Sequence, residues 1–476
     1  MSDIALDLPK SSSATGAIGL TREQTKNLAL ASLGSFLEFY EFMVFGFFAV
    51  VIGKLFFPPE LPEAVRIFQA FALYSLGFAL RPVSGAIIGH LGDKFGRKRM
   101  FIVTIFVMAV PTICIGAMPT YAQIGVVAPV ILLVLRMIQG IAIAGEFAGA
   151  SVFVSEHVPR KQLGTASAVL LGTTWLGFFL GAGSGALLAD ILHPAALESW
   201  GWRIPFILGG IFGLISVYLR RSLDETPLFK ELRQRRDPTR SSPFREAIQA
   251  CPGRMIFVAG LASYLGTMII ILYFYMPTFL AANYGFDRAS VFNVNAAALL
   301  FAAIVCPLWG WVADRIGYGL VLGIGAAGLG VSLFVFFTVL QSIATVPATL
   351  MWWYLAFSLL MGTAGVVPLL SAAPFPTEHR LTGFGFGYNV GIVISATAPT
   401  VMAWVVLSHG KLAVAYFALL VGAIGVVLAI ATGRIPLLLN QELGKWATPI
   451  PSAFAFASRT YPRRSWCLPS ICPAAQ

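Results

Sequence analysis

Two apolar runs, Phe68 to Ile88 and Met100 to Met118, flank the short charged turn Gly89-His90-Leu91-Gly92-Asp93-Lys94-Phe95-Gly96-Arg97-Lys98-Arg99. Each run is long enough to cross a bilayer as a helix. A turn this short makes the two helices antiparallel neighbours. Its four basic residues assign it to the cytoplasmic side, where Lys and Arg are retained.

The rest of the chain repeats that alternation. Only 11% of the 476 residues are charged and 58% are hydrophobic, against about 25% charged in an ordinary soluble domain. Such a chain cannot cover a water-facing surface, so it is a polytopic membrane protein. Twelve spans are predicted between residues 28 and 432. All are helices, because lipid offers no hydrogen-bond partners to an open backbone edge. The net charge of +11 is a topology signal rather than a nucleic-acid footprint. Of the 32 Lys and Arg residues, 25 fall in the termini and even-numbered loops and five on the opposite side. Both termini are therefore expected in the cytoplasm.

Gly310, Asp314 and Gly317 repeat the spacing of the Gly89, Asp93 and Gly96 turn, 221 residues on. Ser155-Glu156-His157 and Thr377-Glu378-His379 repeat at an offset of 222. Two matches at one offset mark a transporter built from two parallel halves around a central site. The expected organisation is a cytoplasmic segment (1–27), a six-helix bundle (28–219), a basic cytoplasmic linker (220–254), a second six-helix bundle (255–435) and a tail (436–476) expected to be disordered. Glycines at small-xxx-small spacing (Gly145/Gly149, Gly177/Gly181/Gly185, Gly209/Gly213) let helices approach closely.

The Gly89–Arg99 turn resembles the loop 2–3 signature of the major facilitator superfamily. Five further stretches are similar to its metabolite:proton symporters: Phe36 to Phe42, Arg136 to Gly140, Ala144-Gly145-Glu146, Trp200 to Phe206 and Leu219 to Pro227. The resemblance covers roughly residues 28–435. It implies the major facilitator fold, an all-α membrane protein with twelve transmembrane helices in two pseudo-symmetric six-helix bundles. It also implies proton-coupled uptake of citrate, 2-oxoglutarate, shikimate or proline/betaine by alternating access, in a bacterial inner membrane. A monomer is expected, with a small solute, protons and membrane lipid as its only partners.

Charge inside a bilayer costs at least ~2.5 kcal/mol per residue, so the few intramembrane charges are the first candidates for function. Glu38 and Glu41 share a helical face. Repulsion and burial both penalise their charged forms, which suits proton coupling. The alternative is a static ion pair with Arg81 or Arg136. Arg136, in a stretch that resembles the superfamily's span-four motif, is a fixed positive charge. It could bind a substrate carboxylate or act on a nearby acid, with Gln139 orienting it. Arg81, before the helix-perturbing Pro82, is a second candidate for substrate. Glu146 lies too far along its helix to pair with Arg136 and is expected to find a structural partner near the cytoplasmic end. In the second half Tyr264 and Asn389 are the expected substrate contacts; Tyr273, Tyr275 and Asn295 are further polar candidates. Gly89, Asp93, Gly96, Arg97, Asp314 and Arg315 form an expected cytoplasmic gate. Asp93 and Arg97, at i and i+4, are able to pair, and the resemblance implies that the acid also meets a helix N-terminus across the halves, where the dipole favours a carboxylate. The Asp314 latch is expected to be weaker for want of a following basic cluster.

The five cysteines and five histidines show no metal-ligand spacing, and no catalytic constellation, ATP motif or disulfide framework appears. No cofactor and no enzymatic activity is expected. The glycine-rich Gly323–Gly328 lacks the preceding strand that a nucleotide site needs. On the intramembrane arginines, and for lack of a long C-terminal heptad segment, a di- or tricarboxylate is favoured over a zwitterionic osmolyte. The sequence also leaves open a drug/proton antiporter and a non-transporting membrane sensor.

Overall fold

The computed structural model describes residues 20–235, 243–340 and 347–435. The expected tail, most of the N-terminal segment, and Ser241 and Ser242 of the linker lie outside these residues. Among the described residues, eleven helical stretches are long and apolar enough to cross a membrane. The remaining span, the second, is two helices, Glu63–Ala79 and Arg81–Phe95, hinged at Leu80. Pro82 explains the hinge: it cannot donate to the carbonyl one turn earlier and its ring crowds that turn.

The first half comprises span one (Arg22–Phe56), span two, span three (Arg97–Ala117), span four (Val127–His157), span five (Leu163–Ile191) and span six (Arg203–Arg220). The second comprises span seven (Pro252–Tyr284), span eight (Arg288–Ile316), span nine (Tyr318–Val339), span ten (Ala348–Ala372), span eleven (Thr377–His409) and span twelve (Ala413–Thr432). Several helices run past the expected ends. Span four continues to His157, and span six ends at the buried Arg220, which the sequence assigned to the linker.

The two halves use the same packing scheme. Span one packs on span five and span three on span six; seven on eleven and nine on twelve repeat those pairs. The two most extensive contacts between the halves, span two with span eleven and span five with span eight, are also related by the repeat. The small-residue stripe of span five is one of these close approaches. A Cβ on Gly177 would collide with the Phe36 carbonyl oxygen of span one, and one on Gly181 would stand 2.6 Å from that of Tyr40. Both repeated turns close on a glycine with positive φ, Gly96 at 113° and Gly317 at 104°. An L side chain is strained there, so the turn chemistry itself is duplicated.

Candidate functional site

A cavity of about 380 Å³ lies between the halves, lined by residues of spans one, two, four, five, seven and eleven. That volume is in the range of small-molecule sites. Its charged lining is Glu38, Glu41, Arg81 and Arg136, two carboxyl and two guanidinium groups. All four are buried, at 2, 4, 7 and 8% exposure.

The four groups form two linked sets. Arg81 Nη2 meets Glu38 Oε1 at 2.8 Å, and the guanidinium also lies 5.2 Å from the Phe78 ring centroid. The Leu80 hinge starts a new helix at Arg81, which brings this side chain to span one. In the second set the Gln139 amide is a bridge. Its Oε1 accepts from Arg136 Nη1 at 2.9 Å; its Nε2 donates to Glu41 Oε2 at 3.3 Å and to Thr112 Oγ1 at 2.7 Å. Arg136 covers the Phe45 ring at 3.4 Å. One oxygen of each carboxyl, Glu38 Oε2 and Glu41 Oε1, is buried without a hydrogen-bond partner. In a dry site an unmatched carboxylate oxygen is costly, and a proton or a solute cation relieves it.

The second half contributes differently from expectation. Tyr264 is absent from the cavity wall and packs its ring on Gly425 of span twelve. Asn389 belongs to the seam: its Nδ2 donates to Ala144 O of span four at 2.8 Å and to Gly385 O at 2.7 Å. Its neighbour Tyr388 lines the cavity instead, stacked on Phe147. Tyr273 points back into its own half, its hydroxyl 2.9 Å from Ser358 Oγ, and Asn295 donates to the Tyr273 carbonyl. Thr112, Phe178 and Phe274 carried no charge or motif to distinguish them in the sequence from packing residues.

Below the cavity the halves are joined by a duplicated cap. Asp93 accepts from Leu381 N (3.3 Å), Thr382 N (2.8 Å) and Thr382 Oγ1 (2.6 Å), and so caps the helix Arg380–Ala396 of the other half. Asp314 accepts from Gly164 N (2.7 Å), Thr165 N (2.8 Å) and Thr165 Oγ1 (2.7 Å), and caps span five in return. A carboxylate at a helix N-terminus satisfies free N–H groups and favours the dipole. Gly89 lets span two approach Thr382, where a Cβ would come within 2.6 Å of its Cα.

The flanking charges are not duplicated. Arg97 pairs with Asp93 at 3.1 Å, reaches the Thr377 carbonyl and lies 3.6 Å from Glu156. Glu156 also pairs with Arg380 at 2.7 Å, so one buried network ties spans two, three, four and eleven. Glu225 caps span three through Arg97 N and Lys98 N. Arg315, by contrast, is exposed, donates to Trp311 O and stacks on the Trp311 ring. It is not part of the seam. The Asp314 cap matches Asp93 in its backbone and threonine bonds; what it lacks is a buried arginine. Glu146 pairs with Arg220 at 2.7 Å and accepts from Thr104, a partner outside the cavity lining.

A match to the Major Facilitator Superfamily spans residues 31–373. The chain belongs to that superfamily of membrane transporters. Within it the chain groups with the metabolite:proton symporters: it is 33% identical over 438 residues to the proline/betaine transporter of Escherichia coli (strain K12), covering 90% of this chain and 86% of that protein. It is 32% identical over 441 residues to the glycine betaine/proline/ectoine/pipecolic acid transporter OusA of Dickeya dadantii (strain 3937), with the same coverage. Among solved structures, the proton:xylose symporter XylE bound to 6-bromo-6-deoxy-D-glucose matches with a TM-score of 0.73 at 15% identity, over 89% of this chain and 99% of that one. At that identity the likeness speaks for the fold.

Proposed function

We propose that this protein is a proton-coupled symporter of a small zwitterionic solute of the proline or betaine type. The observation that carries the proposal is the charge balance of the cavity. A di- or tricarboxylate needs a larger positive excess than this cavity offers: Glu38 and Glu41 offset Arg81 and Arg136 when both are ionised, and protonation of Glu41 leaves a single positive charge. A solute bearing one carboxylate and one ammonium leaves that balance intact. The names of the proline/betaine relatives support the same choice, and the carboxylate substrate favoured from the arginines alone is set aside.

In this mechanism Arg81 and Arg136 supply the cationic side for the solute carboxylate. Glu41 carries the proton. Gln139, itself held by Thr112, fixes one of its oxygens and leaves the other, Oε1, without a hydrogen bond and so available to gain and lose the proton. Solute and proton enter together, the cytoplasmic seam of Asp93 and Asp314 caps parts, and both are released inward. The membrane is the bacterial inner membrane, with both termini cytoplasmic.

The test is uptake into proteoliposomes of purified full-length protein. An inward proton gradient should drive accumulation of labelled proline or glycine betaine, and citrate should neither accumulate nor compete. Glu41→Gln should abolish gradient-driven accumulation while retaining solute exchange at equal concentrations. Gradient-driven citrate uptake, or extrusion of the zwitterions, would overturn the assignment.

A further inference from the structure

The cavity wall that faces the four charges is aromatic. Three of its rings form a mutually edge-to-face cluster: Phe42 and Phe178 at 5.9 Å and 74°, Phe42 and Phe274 at 5.9 Å and 86°, Phe178 and Phe274 at 5.6 Å and 75°. They come from spans one, five and seven, so both halves contribute. Phe78 stands edge-to-face on Phe42 at 5.5 Å. All of these rings line the cavity.

The backbone is irregular where the second half delivers its ring. Residues Ile270–Tyr275 of span seven form a π-helical turn, a widened turn that re-aims side chains and is frequent at functional sites. Here it sends Tyr273 back to Ser358 and leaves Phe274 in the cavity wall. On span one, Phe42 is one turn from Glu38 and adjacent to Glu41, so the rings and the carboxyls are presented by the same stretch of helix.

Given the zwitterion transport proposed above, we propose that Phe42, Phe178 and Phe274 form an aromatic cage for an alkylated ammonium group, and that this cage sets the preference among zwitterions. A methylated ammonium has no N–H to donate to Glu38 or Glu41, and its charge is spread over its methyl groups. Ring faces accommodate such a cation, and a nearby anion adds to the attraction. The rings are steeply inclined to one another, so their negative faces are turned in different directions. Because Phe274 comes from one half and its partners from the other, the cage is complete only while the halves are together around the solute.

The test uses the full-length protein in proteoliposomes. Uptake of labelled glycine betaine is competed with unlabelled glycine betaine, proline, and 3,3-dimethylbutanoate, which replaces the quaternary nitrogen by carbon and removes its charge. The wild-type protein should favour glycine betaine over the carbon isostere by at least about tenfold. Phe274→Leu and Phe178→Leu should each weaken glycine betaine by about 5- to 30-fold, with the carbon isostere changed by less than about twofold. Phe274→Trp should retain the preference. Because the ratio is taken within one variant, partial loss of folded protein does not affect it. Equal losses for glycine betaine and its carbon isostere would show the rings to be a merely apolar wall and overturn the cage. An unchanged ratio in both leucine variants would do the same. If the wild type transports neither glycine betaine nor proline, the functional assignment fails and the cage with it; transport without charge preference sinks the cage alone.

Discussion

The duplicated cap makes a quantitative claim about the cytoplasmic seam. Asp314 accepts two amide bonds and one hydroxyl bond at 2.7–2.8 Å from the start of span five, yet its neighbour Arg315 points away. Loss of an N-cap costs about 1 kcal/mol, and loss of a charge at the helix dipole up to about 1 kcal/mol more. Asp314 is half-buried, so Asp314→Ala should destabilise the closed seam by about 2 kcal/mol, roughly 30-fold in population. Asp93 is fully buried and also pairs with Arg97. Asp93→Ala leaves that arginine short of one counter-charge, which raises the expected cost to about 3–5 kcal/mol. Hydrogen exchange followed by mass spectrometry reads each cap at its own amides. Asp314→Ala should accelerate exchange at Gly164 and Thr165 by about 30-fold, and Asp93→Ala should act more strongly on Leu381 and Thr382. Unchanged exchange at Gly164 and Thr165 in Asp314→Ala would refute the reasoning and leave Asp314 a turn-forming residue only.

Three other outcomes follow from the same structure. Arg81→Gln leaves Glu38 buried without its ion pair and should lower stability by about 3–5 kcal/mol, whereas Arg81→Gln with Glu38→Gln should recover the melting temperature but not transport; a thermal-unfolding series with uptake assays checks both. Gly34→Ala drives a Cβ into Glu146 Oε1 and Arg220 Nη2, so the buried pair must separate and the melting temperature should fall by several degrees. Thr112→Val removes the hydroxyl that holds Gln139 Nε2 while keeping the volume. It should shift the pH dependence of uptake with little change in folding, and an unmoved pH profile would count against Gln139 and Thr112 as positioning residues for Glu41.

Much of this architecture was legible because two physical rules act on the sequence directly. A bilayer demands long apolar helices, and the positive-inside bias labels their ends, so the spans and the two-half repeat could be read from hydropathy and from the Asp93 and Asp314 turns. Buried charge is costly, so Glu38, Glu41, Arg81 and Arg136 stood out, and the structure brings all four to one cavity. Pairing was less accessible. Glu146 needed a partner that the sequence could not name, because Arg220 closes on it from 74 residues away in a stretch that read as loop. Tyr264 and Asn389 were chosen as polar groups in apolar spans, a criterion that does not report which way a helix face points. Phe178 and Phe274 were invisible for the opposite reason: in a membrane span a phenylalanine in a cavity wall and one against lipid obey the same composition.

The crossed caps also bear on how the chain is made. The start of span five is completed by an aspartate 150 residues further along, and the acceptor for the start of span eleven lies 288 residues behind it. Span five therefore waits with open amides until the eighth helix has left the ribosome, and span eleven docks on a carboxylate installed long before. Each six-helix unit leaves one helix start for the other to finish, so the two expressed as separate polypeptides should each mature poorly and rescue one another when co-produced.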